Sequence, residues 1–130
     1  MEPLRLARLA SLVACLFNAA PAHAAGDAQR GAAIAASRTQ GLCVLCHVLP
    51  GLPATQAGNL GPALAGVGTR LSGEALRARL VAPERFNPDT VMPAYGRTEG
   101  LTRVTASRRG QALLDAQQLD DVVAFLGTLK

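Results

Sequence analysis

The chain has 130 residues, a length that suits one domain or at most two, and hydrophobic residues make up 49% of it, too many for a disordered chain. The composition also excludes a collagen-like, a coiled-coil and a disulfide-stapled protein, and the net charge of +4 comes from scattered arginines, which argues against a nucleic-acid partner. Aromatic residues make up only 3% of the chain, so we expect a group other than a large side chain to fill part of its core.

Residues 1–24 have the pattern of a secretory signal peptide. Two basic residues, Arg5 and Arg8, precede an apolar stretch from Leu9 to Ala20. Ala22-His23-Ala24 then offers the small-x-small pattern that signal peptidase recognises. We therefore predict that this segment is removed by cleavage at its end.

The mature chain, residues 25–130, is predicted to be a soluble periplasmic domain without a membrane span. The apolar stretch of the leader is well short of the roughly 20 residues that a spanning helix needs. Two other interpretations of the first segment stay open. Leu12-Val13-Ala14-Cys15 resembles a lipoprotein processing site, and the segment could instead be an ordinary buried helix.

The first predicted helix of the mature chain begins after Asp27, which can cap it, and runs to about Arg38. Gly31 lowers helix propensity in this segment, so we expect a close contact with another helix there; a merely tolerated glycine is the alternative. A second, short helix carries a cysteine motif.

This motif, Cys43-Val44-Leu45-Cys46-His47, has the C-x-x-C-H spacing of a c-type haem attachment sequence. Two cysteines three residues apart on a short helical turn can add to the two vinyl groups of one porphyrin. The adjacent histidine can then present a ring nitrogen to the iron. We predict one covalently attached haem c, held by Cys43 and Cys46, with His47 as the proximal iron ligand.

Three other interpretations of the cysteine pair are weaker. A thioredoxin-like redox pair needs a βαβ context and gives the histidine no role. A zinc site needs two further Cys or His ligands, which the mature chain does not contain. A disulfide would close a very small loop and stabilise little. A buried porphyrin would also account for the scarcity of aromatic residues.

Ser72 can cap a third helix, and Pro83 ends it. The last helix opens at Asp115, which forms a capping-box pattern with Gln118. Apolar residues then recur at helical spacing: Leu119, Val122, Val123, Leu126 and Leu129.

The opposite face of the last helix carries charged residues. Asp120, Asp121 and Lys130 are predicted to point toward water. Since no segment shows convincing strand alternation, the fold class is predicted to be a small all-α domain with several short helices around one haem.

The second axial ligand of the iron is predicted to be Met92. The mature chain has no second histidine, and both thiols are used for attachment, so Met92 supplies the only thioether sulfur left. It lies in a loop in which Pro88 and Pro93 restrict the backbone. His/Met ligation raises the reduction potential and suits electron transfer. Tyr95, Lys130 and an open sixth position remain alternatives, as does a methionine that only fills the core.

The segment Gly61-Pro62-Ala63-Leu64-Ala65-Gly66 lies between the second and third predicted helices. Together with the cysteine motif and Met92, it resembles the class I cytochromes c. The resemblance implies that this segment passes beneath the haem and that the Pro62 carbonyl accepts a hydrogen bond from His47. A turn with no role at the iron is the alternative.

Several stretches resemble one branch of that family, SoxX, the small haem subunit of the SoxAX complexes of bacterial sulfur oxidation. Residues 87–95, which contain Met92, are the most specific of these stretches. The others are residues 40–47, 58–68, 100–104 and 116–129.

The resemblance implies a shared reaction. SoxAX joins thiosulfate oxidatively to a cysteine of the carrier SoxYZ and releases two electrons, and the bond forms at a haem of SoxA that has a modified cysteine ligand. SoxX takes up electrons and passes them to a further cytochrome. The resemblance therefore implies an electron-accepting subunit of a heteromeric L-cysteine S-thiosulfotransferase, without catalytic residues of its own.

The implied partners are a SoxA-like haem subunit in a heterodimer, with a SoxYZ-like carrier and a downstream cytochrome as transient partners. The main alternative is a freestanding periplasmic cytochrome c that serves another oxidase or dehydrogenase. A haem sensor or peroxidase-like enzyme is a third class, which would need an open or displaceable sixth position.

One stretch before the last helix, residues 97–109, is locally basic. It contains one acidic residue, Glu99, and four basic ones: Arg97, Arg103, Arg108 and Arg109. Such a run is most often a solvated face. It could also guide an acidic partner or lie near the haem propionates.

Overall fold

A computed structural model describes residues 25–130, so the predicted signal segment, residues 1–24, lies outside the described residues. The described part of the chain is helical and contains no strand, which confirms the predicted all-α class. Its α-helices are α1 (Ala28–Ala36), α2 (Val67–Arg70), α3 (Gly73–Val81) and α4 (Ala116–Thr128). Single 3₁₀ turns cover Cys43–Leu45, Ala54–Gln56, Pro83–Arg85 and Ala106–Arg108. Within residues 25–130, no helix is both long and apolar enough to cross a bilayer.

Three helices begin at the predicted caps. The Asp27 carboxylate accepts a hydrogen bond from the backbone N–H of Arg30 at 2.9 Å, and the Ser72 hydroxyl caps α3 in the same way. At α4 the Asp115 carboxylate accepts from the N–H of Gln118 at 2.8 Å, while the Gln118 side chain accepts from the N–H of Asp115 at 3.0 Å. The capping box satisfies donors that a helix start leaves open.

The other helix boundaries differ slightly from the predictions. α1 ends at Ala36, two residues before the expected end, and α3 ends at Val81, just before Pro83. The short helix at the cysteine motif is a single 3₁₀ turn. α2 was not predicted, because its four residues are too few to show a periodic pattern.

α1 and α4 cross at close range. A Cβ atom added to Gly31 would lie 1.9 Å from the backbone oxygen of Asp121, and one added to Gly26 would lie 2.1 Å from that of Asp120. Only glycine allows two backbones to approach in this way. The predicted close helix contact at Gly31 is therefore confirmed.

The prediction that Asp121 points toward water is wrong. Asp121 is only 2% exposed, and its carboxylate accepts hydrogen bonds from Arg30 Nε at 2.8 Å and Arg30 Nη2 at 2.9 Å. The backbone N–H of Asp27 and the side chain of Gln117 donate to it as well. A carboxylate tolerates burial when such partners satisfy it, and the Arg30 guanidinium holds the pKa of Asp121 well below its usual range. The partners come from the start of α1, about 90 residues away, so the periodicity of α4 gave no sign of them.

The core lies between α1, α3 and α4. Its main buried cluster contains Ile34, Val67, Leu76, Leu80, Tyr95, Leu114, Leu119, Val122 and Leu126. A smaller cluster surrounds the cysteine motif and contains Ala35, Cys43, Val44 and Leu49. The partly buried side chains of Leu64 and Phe125 pack against both clusters, so the cysteine motif is anchored directly to the core.

Candidate functional site

The cysteine motif follows directly from the end of α1. The N–H of Leu42 donates to the carbonyl of Ser37 at 2.8 Å, and Leu42 itself adopts a left-handed backbone conformation with φ of 62°. This conformation is uncommon for a residue other than glycine and turns the chain into the 3₁₀ turn that holds Cys43. The N–H of His47 closes the motif by donating to the carbonyl of Cys43 at 2.8 Å.

Both cysteines of the motif are free thiols. Cys43 is buried and Cys46 is half-buried. Burial raises the pKa of the Cys43 thiol. The two sulfur atoms are therefore available for attachment and are not used in a disulfide.

The imidazole of His47 is oriented by the segment predicted to pass beneath it. Its Nδ1 lies 2.6 Å from the carbonyl oxygen of Pro62. Because a carbonyl oxygen can only accept, Nδ1 donates and carries the hydrogen, so Nε2 keeps a free lone pair for a metal. This arrangement is the usual one for a histidine that binds a metal.

Gly61 makes room for the same imidazole. A Cβ atom at Gly61 would lie 2.4 Å from Cε1 and 2.8 Å from Nε2 of His47, so no other residue fits without moving the ring. From the sequence alone, Gly61 is only one residue of the segment between the second and third predicted helices. The glycine beside Pro62 was the available signal, but its contact with the ring depends on how two segments fold together.

The segment that contains Gly61 and Pro62 is held on the cysteine motif by main-chain hydrogen bonds. Three backbone N–H groups of this segment donate to carbonyls in residues 44–48. Gly58 donates to Val44 at 2.8 Å, Gly61 donates to Cys46 at 2.8 Å, and Leu64 donates to Val48 at 3.0 Å. This pairing fixes the Pro62 carbonyl relative to His47.

Met92 is presented by a loop that local hydrogen bonds stabilise. The Asn87 side chain accepts from the N–H of Asp89 at 3.1 Å, and the Thr90 hydroxyl accepts from the N–H of Met92 at 3.1 Å. Met92 is half-buried and packs on the main core cluster, whereas the preceding Val91 is 78% exposed. The role of Thr90 was not predicted, although side-chain turns of this kind are typical of Asn and Thr in loops.

These segments enclose a crevice, which consists of two adjoining cavities of about 390 and 510 Å³. Cys46 lines the smaller cavity. Both cavities are lined by Cys43, His47, Pro62, Met92 and Tyr95. The structure thus brings the two predicted attachment cysteines, the two predicted iron ligands and Pro62 to one crevice. The larger cavity has a mainly apolar wall that includes Leu64, Val67, Leu71, Leu76, Leu80 and Leu126.

The two alternative ligands occupy different positions. Tyr95 lines the crevice, but its hydroxyl donates to the carbonyl of Gly41 at 2.7 Å. Lys130 lines neither cavity, and its Nζ donates to the carbonyl of Gly68 at 2.8 Å. Of the two, only Tyr95 is near the site, and its oxygen is already engaged.

The charges around the crevice are mainly positive. Asp89 is the one carboxylate among the residues that line it, whereas Arg70 and Arg79 line the larger cavity. The guanidinium of Arg79 stacks over the ring of Phe86 at 4.0 Å from its centroid.

The basic stretch found in the sequence lies elsewhere. Arg103, Arg108 and Arg109 line neither cavity of the crevice, and Arg97 forms an ion pair with Glu84.

The donor set fits a c-type haem. Two free thiols, an imidazole with Nε2 available and a thioether sulfur face one apolar crevice. Thiols can form the covalent attachment, and imidazole and thioether are established axial ligands of haem iron. Within residues 25–130, no cluster of three or more His, Cys, Asp or Glu side chains offers a competing site for a bare metal ion.

Comparisons with known proteins agree with this chemistry. Residues 28–130 match the family model described as Cytochrome c. Among solved structures, a chain of the crystal structure of SoxXA from P. pantotrophus is 35% identical, with a TM-score of 0.73. That match covers 82% of this chain and 84% of the other. A comparison with curated proteins finds no match.

Proposed function

This chain belongs to the cytochrome c family as a SoxX-like class I cytochrome, and on that premise we propose that it is the electron-accepting haem subunit of a SoxAX-type complex. Its haem c and its electron-transfer function follow from the family. The finer proposal is that its electrons come from the oxidative coupling of thiosulfate to a cysteine of a SoxYZ-like carrier. The observation that carries the proposal is the similarity, over most of the chain, to a chain of SoxXA.

We propose that Cys43 and Cys46 would hold the haem covalently and that His47 and Met92 would supply ligands to its iron. When bound, haem c supplies a one-electron redox centre. The Pro62 carbonyl keeps Nδ1 of His47 protonated and its ring in place. Met92 offers a soft sulfur, which favours the reduced state and raises the potential.

The remaining residues of the crevice suit electron transfer better than bond chemistry. Apolar side chains of the larger cavity exclude water, and a low-polarity surrounding raises the reduction potential. With both cysteines used for attachment, no thiol is left in the crevice to act as a nucleophile. We therefore assign the bond-forming step to a SoxA-like haem subunit and leave this chain with the uptake of electrons.

The cellular setting follows from the same proposal. Cleavage after Ala24 would export the chain to the periplasm, where haem attachment and thiosulfate oxidation would take place. There the chain would form a heterodimer with the SoxA-like subunit. The SoxYZ-like carrier and a downstream cytochrome would bind transiently.

Isolation of the exported protein from its native cells tests the proposed assembly. We expect it to elute in tight association with a second haem protein, and we expect thiosulfate together with the SoxYZ-like carrier to reduce its haem. A protein that elutes alone and whose haem stays oxidised in this assay would instead be a freestanding electron carrier.

Replacement of the proposed sulfur ligand tests the site. In Met92→Ala we expect the weak red-region sulfur–iron absorption band to disappear and the reduction potential to fall. An unchanged spectrum, together with ready binding of cyanide or carbon monoxide by the unmodified protein, would contradict the assignment and favour an open sixth position.

A further inference from the structure

Tyr95 joins three parts of the fold. Its side chain is only 3% exposed, and its hydroxyl donates to the carbonyl of Gly41 at 2.7 Å. Its own N–H donates to the carbonyl of Leu80 in α3 at 2.9 Å, and its carbonyl accepts from the N–H of Leu114 at 3.1 Å. The main-chain hydrogen bonds hold Tyr95 on α3 and on the segment before α4, and only the hydroxyl reaches the cysteine motif.

The hydroxyl connects the two segments that carry the proposed haem ligands. Tyr95 follows Met92 by three residues, and Gly41 precedes Cys43 by two. Gly41 is itself fixed, because a Cβ atom there would lie 2.2 Å from the carbonyl oxygen of Ile34 in α1. The Tyr95 hydroxyl therefore ties the Met92 loop to a rigid point just before the cysteine motif.

Haem attachment would leave the Gly41 carbonyl more dependent on the hydrogen bond from the Tyr95 hydroxyl. In the free thiol form, Cys43 Sγ also donates to the Gly41 carbonyl, at 3.5 Å. A thioether sulfur has no hydrogen to donate, so after attachment the Tyr95 hydroxyl is the side-chain donor that remains for this carbonyl. A buried carbonyl without a donor is unfavourable, so loss of the hydroxyl would loosen the contact between the two segments.

We propose that Tyr95 is a positioning residue, whose hydroxyl holds the Met92 loop against the cysteine motif and thereby sets how readily the Met92 sulfur is displaced from iron. This inference rests on the proposed function, in which Met92 is the second axial ligand. Local hydrogen bonds shape the Met92 loop, and the Tyr95 hydroxyl controls its distance from the cysteine motif.

The test compares the oxidised holoprotein with its Tyr95→Phe variant by spectral titration with imidazole, which competes with the Met92 sulfur for iron. The variant keeps the aromatic ring and the main-chain hydrogen bonds, so we expect it to fold and carry haem. We expect imidazole to bind about tenfold more tightly to it, the change that corresponds to the loss of one buried hydrogen bond.

Thr128→Val is a control for the loss of an exposed hydroxyl away from the crevice. It also removes a hydroxyl that donates to a carbonyl, in this case that of Phe125 at 2.6 Å, and Thr128 lines neither cavity of the crevice. We expect its imidazole affinity to equal that of the unmodified protein. A role of Tyr95 in stability alone would lower the melting temperature of Tyr95→Phe and leave the imidazole affinity unchanged.

A second approach is available because Tyr95 is the one tyrosine of the chain. Should Tyr95→Phe fail to accumulate, incorporation of 3-fluorotyrosine keeps the ring and makes the hydroxyl a stronger donor. The inference then expects weaker imidazole binding than in the unmodified protein. Equal or tighter binding would overturn it.

The outcomes separate this inference from the function on which it rests. One outcome is that the unmodified protein shows the sulfur–iron band while Tyr95→Phe binds imidazole with the same affinity as the unmodified protein. In that case Tyr95 has no positioning role and the proposed function stands. If the unmodified protein lacks the band and Met92→Ala leaves its spectrum unchanged, the ligand assignment is wrong and the inference fails with it.

Discussion

Around His47, two backbone features decide how the imidazole can lie. The Pro62 carbonyl fixes the tautomer at 2.6 Å from Nδ1, and the missing side chain of Gly61 leaves space for Cε1 and Nε2. An iron ligand held in this way, the role that we propose for His47, would change its position little when the charge on the iron changes. A fixed geometry of this kind suits fast electron transfer, since little rearrangement accompanies each step.

A Gly61→Ala substitution tests this packing. The new methyl group would meet the His47 ring at 2.4–2.8 Å, so the ring or the segment has to move. We expect a loss of about 2 kcal/mol of stability, in the range of overpacked cores, together with an altered haem spectrum. Denaturant unfolding and absorption of the purified holoprotein measure the two effects.

Gly73→Ala is the control for that substitution, because a Cβ there would lie 3.6 Å from Val123, an ordinary contact distance. We expect Gly73→Ala to keep both the stability and the spectrum. If Gly61→Ala also keeps its stability and its haem spectrum, the close packing of Gly61 against His47 contributes to neither property.

At this scale the sequence was informative where chemistry imposes a local spacing. Cys43, Cys46 and His47 could be proposed because haem attachment needs such residues within five positions of one another. Met92 could be proposed because the mature chain has no other thioether. Gly61 and Thr90 could not be assigned, since their roles depend on contacts between segments that only the folded chain brings together.

Among the secondary-structure elements, the closest packing is that of α1 against α4. The two helices meet at Gly31, where backbone touches backbone, and the same crossing places Arg30 beside Asp121. Helix starts were predictable because Asp27, Ser72 and Asp115 act within their own helices. The burial of Asp121 was not predictable, because its partner Arg30 lies 91 residues earlier in the sequence.

Gly31→Ala is expected to destabilise the protein by about 2–3 kcal/mol, since its methyl group would lie 1.9 Å from the Asp121 backbone oxygen and neither helix can yield without losing contacts. Thermal or denaturant unfolding followed by circular dichroism measures the change.

Gly127→Ala provides the comparison, because nothing lies within 4 Å of a Cβ at Gly127 in α4. The higher helix propensity of alanine is expected to leave the protein as stable as before or to stabilise it by up to about 1 kcal/mol. Equal effects of the two substitutions would show that the crossing is not tight.

At the scale of the whole molecule, one buried carboxylate links the first helix of the described residues to the last. Arg30 lowers the pKa of Asp121 in the folded protein below its value of about 3.9 in the unfolded chain. A group of this kind stabilises the fold above its unfolded pKa. That contribution is lost as the pH falls from there through the folded pKa.

We therefore expect Asp121→Asn to be clearly less stable than the unmodified protein at pH 7, with a difference that shrinks as the pH falls below about 4. Melting temperatures across this range measure the difference. Asp120→Asn is the control, since Asp120 forms a partly exposed ion pair with Arg77, and such pairs contribute little. A difference that stays constant with pH would show that the charge of Asp121 is not what stabilises the fold.

The molecule as a whole is arranged around its crevice. The low content of aromatic residues predicted that another group fills part of the core, and the chain indeed encloses apolar cavities between its helices. The family accounts for them with a haem. The all-α class was predictable from helical spacing, whereas the main-chain pairing that fixes residues 58–64 on the cysteine motif was not, because it has no sequence pattern of its own.

Intact-mass analysis of the exported protein under denaturing conditions tests the central claim most directly. We expect a polypeptide that begins after Ala24 and carries the added mass of one haem, and we expect this added mass to be lost when Cys43 and Cys46 are both replaced by alanine. A mass equal to that of the bare polypeptide would contradict covalent attachment and with it the proposed electron-transfer site.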